Sequence, residues 1–71
     1  MRKSTHCYDL KNGFGINCYQ EINPITNVEV CRIEAVIKLP NWEEVIEYYC
    51  IEDKQEANNC FKALYNRYSK L

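Results

Sequence analysis

The chain has 71 residues, a formal net charge of −1 and 46% hydrophobic residues. A chain of this length forms one domain around one core, so residues 1–71 are predicted to be a single small domain. The near-neutral charge weighs against nucleic-acid binding, which usually depends on a basic surface. No apolar run reaches the roughly 18 residues of a membrane span. We therefore expect a soluble, cytoplasmic protein without a signal peptide or a membrane partner.

The first two predicted strands form a hairpin. The first covers residues 5–10 and is followed by Asn12 and Gly13. Such a pair is a strong hairpin signal, because a type I′ turn needs positive φ at both central residues. The second strand, 14–22, alternates apolar and polar residues, which places Tyr19 on the side opposite the apolar one.

The third predicted strand, 28–39, has the clearest alternation in the chain. It is joined to the second strand by a turn that begins at an Asn-Pro pair. Pro40 ends the strand because proline cannot donate to a sheet ladder. Val36 falls on the same side of the sheet as Tyr19, away from the apolar side of the strand.

The C-terminal segment predicts a helix over residues 54–70. Asp53 and Glu56 have capping-box spacing, in which each side chain reaches a backbone N–H of the first turn. Apolar residues at steps of three and four form one stripe, expected to face the sheet. The stripe comprises Ala57, Cys60, Phe61, Leu64, Tyr65, Tyr68 and Leu71.

The segment 42–51 fits two structures. Its apolar residues have helical spacing, but continuing that stripe by one turn places Asp53 in the apolar seam. Its composition is rich in Val, Ile and Tyr, which favour strands. We therefore predict a strand over 44–52. Strict alternation then groups Val45 with Tyr49 and Ile46 with Tyr48; one tyrosine must face the helix, and the sequence leaves open which one.

Together these elements predict an α+β fold: a four-stranded antiparallel β-meander followed by one C-terminal α-helix packed on one sheet face. A single helix covers one face of such a sheet. The other face would then need a partner or a second copy of the chain to cover it.

No residue pattern in the chain indicates catalysis, a metal or a cofactor. The five cysteines are evenly spaced and odd in number, which predicts thiols and no disulfide framework. His6 is the only histidine, and its neighbour Cys7 would point to the opposite sheet face. Zinc sites normally use closely spaced Cys or His pairs, and none occurs here. We predict a protein that is not an enzyme.

The candidate binding residues are aromatic and acidic. Tyrosine is enriched at interfaces because it offers rigid contact area with a polar tip, and five of the ten acidic residues lie between Glu43 and Asp53. An acidic surface suits a basic partner. The predicted binding set comprises Tyr19, Val36, Glu43, Glu44, Glu47, Tyr48 and Tyr49.

These observations predict a small intracellular, non-enzymatic interaction protein with a protein partner. The partner would bind the acidic and aromatic surface, and self-association through the open face or an edge strand is a related hypothesis. The composition, rich in Asn, Lys, Ile, Glu and Tyr, suggests an accessory protein of a phage or mobile element that inhibits a host defence protein. The alternative is a nucleic-acid-binding module in which sheet tyrosines stack on bases.

Overall fold

The computed structural model describes residues 2–71, with side chains from residue 6 onward. Four strands form one antiparallel sheet in the order β1-β2-β3-β4, and a single helix follows them. The elements are β1 (Arg2–Asp9), β2 (Phe14–Ile22), β3 (Glu29–Lys38), β4 (Glu43–Ile51) and α1 (Lys54–Ser69). The helix packs on one face, against β2 and β3 and to a smaller extent β4. The predicted α+β meander with a C-terminal helix is confirmed.

The element bounds follow the predictions closely. The second strand has the predicted limits, and β4 covers residues 43–51 of the segment 42–51, so the helical alternative is wrong there. The largest difference is β1, which begins at Arg2, three residues before the predicted start. Its pairing with β2 shifts register between Ser4 and His6, and polar residues on both sides of this shift obscure the strand in the sequence.

The β1–β2 hairpin is present, but its turn is not type I′. The Leu10 N–H donates to the Phe14 carbonyl at 2.8 Å, which leaves a three-residue loop. Gly13 has φ of 88°, whereas Asn12 has negative φ, since Asn27 is the one non-glycine residue of the described chain with positive φ. This is the longer hairpin class, in which a left-handed residue closes the loop.

Asn12 instead connects this loop to the helix. Its side-chain Nδ2 donates to the Tyr68 carbonyl at 2.6 Å and to the Leu71 carbonyl at 2.9 Å. The Tyr68 carbonyl also accepts from the Leu71 N–H at 3.4 Å, and Leu71 lies beyond the last helical residue, so the Asn12 amide binds both the last turn of the helix and the residue after it. We call this pair of hydrogen bonds the Asn12 clasp. It joins residues that are 56 and 59 positions apart.

The β2–β3 loop lies at the opposite end of the sheet. The Asn27 N–H donates to the Asn23 carbonyl at 2.7 Å, and Asn27 has φ of 58°. The Asn23 side chain accepts from the Ile25 N–H at 2.9 Å, an Asx-type turn that fits the Asn-Pro start. Ile25 at the loop tip is 92% exposed.

The helix begins as predicted, because Asp53 is its N-cap and accepts from the Glu56 N–H at 2.9 Å. Removing such a cap typically costs about 1 kcal/mol. Leu64 and Tyr68 of the predicted stripe are buried. Tyr65 was expected to face the core but lies at its rim, where it is 39% exposed and its ring is edge-on to that of Tyr8.

The core lies between α1 and the face of the sheet beneath it. Ile16, Ile33 and Ala35 from the two central strands meet Leu64 and Tyr68 of the helix. Ile16 is fully buried, and burial of such a side chain contributes about 1.5–3 kcal/mol. The central strands supply this core because they alone are flanked by strands on both sides.

Candidate binding surface

A bulge in β4 decides which of its side chains face the helix. Ala35 pairs with Glu47, but the next residue, Val36, pairs with Val45. Ile46 is therefore an extra residue, and the alternation reverses across it. The prediction that Val45 shares a side with Tyr49 is wrong for this reason: the pairing places Val45 on the face that the helix leaves uncovered, hereafter the open face.

The two tyrosines of β4 separate onto the two faces. Tyr48 pairs with Glu34 on the open face, where the Arg32 guanidinium carbon lies 4.3 Å from the centre of its ring. Tyr49 pairs with Ile33 on the helix side, and its hydroxyl donates to Glu47 at 2.7 Å. The choice that the sequence left open is thus settled, with Tyr48 outward on the open face.

The centre of the open face is buried although no helix covers it. Val36 is 0%, Asn17 2% and Glu34 5% exposed. Asn17 Nδ2 donates to Glu43 Oε2 at 3.1 Å, a bond that runs from β2 to β4 across β3. Asn17 lies beside Glu34 and Glu43 lies beside Lys38, so in a flat sheet their Cα atoms would be roughly 16 Å apart, which is farther than the two side chains and one hydrogen bond can reach. The open face is therefore concave along this diagonal. Val36, one of the predicted binding residues, consequently offers no contact area.

Lys38 closes one end of the open face. Its ammonium group binds Glu43 and, at 3.0 Å, Asp9, and its stem lies over Gly15. A Cβ at Gly15 would come within 2.9 Å of the Lys38 Cε, so the glycine makes room for the lysine stem. Hydrogen bonds to Glu43 and Asp9 raise the pKa of Lys38 to about 12. The hydrogen bond from Lys38, and then that from Asn17, lowers the pKa of Glu43.

Arg32 covers the other end of the open face. Its Nε donates to Glu34 at 2.8 Å, which pairs the buried carboxylate with a cation. A buried charge without such a partner would be strongly unfavourable. Tyr19 lies opposite Arg32 in the register, on the predicted face, and is half-buried. The charged and aromatic side chains of the open face therefore bind one another and cover its centre.

Glu47 lies on the helix side, not on the open face. It accepts hydrogen bonds from the hydroxyls of Tyr68 and Tyr49 and binds Arg67 Nη1 at 3.1 Å. The hydrogen bond from Tyr68, followed by the one from Tyr49, lowers the pKa of this carboxyl. Glu47 thus links β4 to the last turns of the helix, a structural role that the sequence did not indicate.

Glu44 is the predicted acidic residue that points freely outward. It pairs with Ile37 on the helix side of the sheet, is exposed, and takes part in none of the ion pairs between residues 6 and 71. Of the three predicted carboxylates, Glu43 and Glu47 are bound to cations of the same chain. Fewer carboxylates are accordingly available to a partner than the sequence suggests.

Exposed apolar side chains concentrate along the β4 edge and the hairpin before it. Five large hydrophobic residues within eight positions are 41–60% exposed: Trp42, Val45, Ile46, Tyr48 and Tyr49. We call this set the β4 surface. Single exposed apolar residues are common on proteins, whereas five along one sheet edge indicate an interaction site. The set follows the edge of the strand and not one face, because Val45 and Tyr48 lie on the open face and Tyr49 lies on the helix side. The bulge contributes to it, because it turns Val45 toward the same face as Tyr48.

The cysteine thiols and His6, which could in principle act in catalysis or bind a metal, take part in packing and strand pairing. Burial raises the pKa of Cys18 to about 11 and also raises the pKa of Cys60, so both thiols are protonated at neutral pH. His6 pairs with Cys18 on the helix side and Cys7 with Asn17 on the open face, as predicted. All five cysteines are thiols. Within the part of the chain that is described, no group of His, Cys, Asp or Glu is placed to hold a metal ion.

Comparison with protein-family models, curated proteins and solved structures found no match. The helix of the described chain, with 16 residues, does not have the length and apolar content needed to cross a bilayer.

Proposed function

We propose that the chain is a non-enzymatic binding module that docks a partner protein along the β4 surface. The observation that carries the proposal is the cluster of exposed apolar side chains on an edge strand. The outer backbone groups of β4 are not used by the sheet, so they can pair with an extended segment of another chain. Backbone pairing would supply affinity, and the side chains of Ile46, Tyr48 and Tyr49 would supply specificity.

Charge identifies the kind of partner. Pairing β4 with a second copy of itself would place a second acidic strand beside Glu44 and would supply no cation for it, since Glu43 and Glu47 already hold Lys38 and Arg67. An extended segment that alternates apolar and basic residues would instead meet Glu44 with a cation. We therefore propose a foreign protein with a basic, apolar segment as the partner, in preference to self-association.

The ionisable side chains also support a binding role, because they are engaged in hydrogen bonds and ion pairs or are kept neutral by burial. The carboxylates of Glu43 and Glu47 are held by neighbouring donors, and burial keeps the thiol of Cys18 protonated. The two cations on the open face, Arg32 and Lys38, are each paired with a carboxylate. This pairing disfavours the nucleic-acid alternative, because a phosphate would have to displace an existing ion pair.

Within this class, the composition favours an accessory protein of a phage or mobile element that inhibits a host defence protein. A host enzyme or defence protein among the bound partners, with its activity reduced on addition of the purified chain, would support this narrower proposal.

Site-specific crosslinking in the native host tests the proposal. A photoreactive phenylalanine analogue replaces Tyr48 in the β4 surface or, as a control, Lys62 on the exposed side of the helix. We expect a defined partner to crosslink at position 48 and not at 62. The same partner at both positions, crosslinks confined to position 62, or a crosslinked dimer of the chain itself would contradict the proposal.

A matched pair of substitutions then examines the edge itself. Ile46→Lys adds a charge on the outer strand, whereas Ile25→Lys makes the same change at the tip of the distant β2–β3 loop. With unchanged thermal unfolding in both variants, we expect Ile46→Lys to weaken binding of the partner about tenfold or more, a loss of about 1.4 kcal/mol. Equal binding by the two variants would rule out the β4 surface.

A further inference from the structure

A groove of about 360 Å³ opens between the first half of the helix and strands β1 to β3. It exists because the side chains at this end of the core are small. Cys18, Cys31 and Ala57 line it, whereas Phe14, Leu64 and Tyr68 fill the opposite end. Its volume lies near the lower limit of known small-molecule sites, which run from about 300 to 1,000 Å³.

The floor and one wall of the groove are apolar. Ile33 at the floor is 2% exposed, and the protonated thiol of Cys18 lies beside it. The wall is aromatic: the rings of Tyr8 and Phe61 lie 4.9 Å apart, and the His6 ring lies 5.6 Å from Tyr8. A flat apolar molecule could contact these rings in the offset or edge-on arrangements that aromatic groups prefer.

Polar groups lie along the rim on the helix side. Lys54 and Asn58 are four residues apart on the helix, which places them on the same face, and both line the groove. Lys54 is exposed and is absent from the ion pairs of residues 6–71, and Asn58 is likewise exposed without a side-chain hydrogen bond in that range. An ammonium group and an amide are thus available to an anionic group at the rim of an apolar groove.

We propose that this groove binds a small, flat, largely apolar molecule that carries one anionic group. The apolar body contacts Ile33, Tyr8 and Phe61, and the anion binds the Lys54 ammonium and the Asn58 amide. Charge-assisted hydrogen bonds at such a rim fix the orientation of the ligand, while the apolar contacts supply most of the affinity. The site lies on the helix side of the sheet and does not involve the β4 surface.

Two related probes test the proposal. Anilinonaphthalene sulfonate has an aromatic body with one anionic group, and phenylnaphthylamine has the same skeleton without the charge. We expect the sulfonate to bind one-to-one, with amide shifts in a nitrogen-15 spectrum confined to groove residues, and the neutral probe to bind less tightly. Lys54→Gln should weaken the sulfonate about fivefold or more and leave the neutral probe unchanged. Lys62→Gln, the matched control outside the groove, should change neither.

Two further variants fill or cover the groove. Cys31→Met occupies the floor with a flexible apolar side chain, and Asn58→Trp covers the rim from an exposed position on the helix. Each should abolish binding of both probes, whereas Cys50→Met on the open face should not. Full binding by Asn58→Trp, amide shifts spread over the whole chain, or binding that does not saturate would overturn the proposal, since such behaviour indicates unspecific adsorption to loosely packed protein.

Discussion

On one face of the sheet, Ile16 and Ile33 are buried by a helix; on the other, Val36 and Asn17 are buried by the side chains around them. The helix-covered face uses large apolar and aromatic groups from a separate element. The open face uses its own concavity and the long side chain of Lys38, which extends across Gly15. The comparison shows that a second layer is not the only way to remove the centre of a small sheet from water. It also explains why apolar surface remains at the β4 edge and not at the centre.

Leu64→Ala should have the largest effect on folding. Leu64 is 2% exposed and lies in the layer between helix and sheet. Loss of a buried leucine side chain costs about 2–5 kcal/mol, a large part of the stability of so small a domain. Urea unfolding followed by circular dichroism measures it. Leu39→Ala at the exposed β3–β4 hairpin is the control, with an expected loss of about 1 kcal/mol or less; equal losses would mean that the helix contributes little to the core.

Val36→Ala tests the open face in the same assay. We expect a loss of about 1.5–2 kcal/mol, because two buried methyl groups are removed at about 0.8 kcal/mol each. Val45 is the matched control: it pairs directly with Val36 but is 43% exposed. If both alanine variants lose the same stability, the open face is not sealed and its concavity has no energetic role.

We expect the smallest effect on stability at Glu47, and it is the effect that depends most on pH. Its folded pKa lies below the ordinary value of 4.5, because Tyr68 and then Tyr49 donate to the ionised form. The resulting stability is present above that value and is lost as the pH falls through the lowered pKa. Glu47→Gln should cost about 1 kcal/mol at neutral pH and make the free energy of unfolding less sensitive to acid.

Glu44→Gln is the matched control for stability. Glu44 is exposed and has no ion-pair partner among residues 6–71, so its replacement should leave the free energy of unfolding at neutral pH close to that of the parent chain. The interpretation of Glu47 as a connection between β4 and the helix would fail if the two glutamine variants lost the same stability.

The sequence predicted most of the fold because its signals are local. Alternation placed β2 and β3, and the Asp53 cap with its apolar stripe placed the helix. The bulge at Ile46 could not be predicted, since every residue from 45 to 51 except Glu47 suits either side of a strand. That single extra residue places Val45 on the opposite face from Glu47 and Tyr49, where strict alternation would have grouped the three. The burial of Asn17 and Glu34 depends on the curvature of the sheet, which alternation does not encode.

The candidate surface was predicted only in part for the same reason. Tyr48 and Tyr49 were correctly placed on opposite faces, but Val36 is buried and two of the three carboxylates are bound within the chain. The run of acidic residues suggested that Glu43 and Glu47 are available to a partner, because the sequence does not show that Lys38 and Arg67 lie beside them. Trp42 and Ile46, which complete the β4 surface, became evident as exposed residues only with the structure.

The Asn12 clasp has a consequence for the chemical ageing of the protein. An asparagine followed by glycine is prone to deamidation, because the unhindered backbone nitrogen of the glycine can attack the side-chain amide carbon, form a succinimide and release ammonia. Water then opens the succinimide and leaves an aspartate or isoaspartate carboxylate. The product carboxylate has no N–H to donate, so it would face the carbonyls of Tyr68 and Leu71 as an acceptor against acceptors. We expect deamidated molecules, separated from fresh ones by charge, to exchange the amide hydrogens of the last helical turn faster; equal exchange would show that the clasp does not hold the helix end. A spontaneous reaction in the first loop would then loosen the far end of the chain.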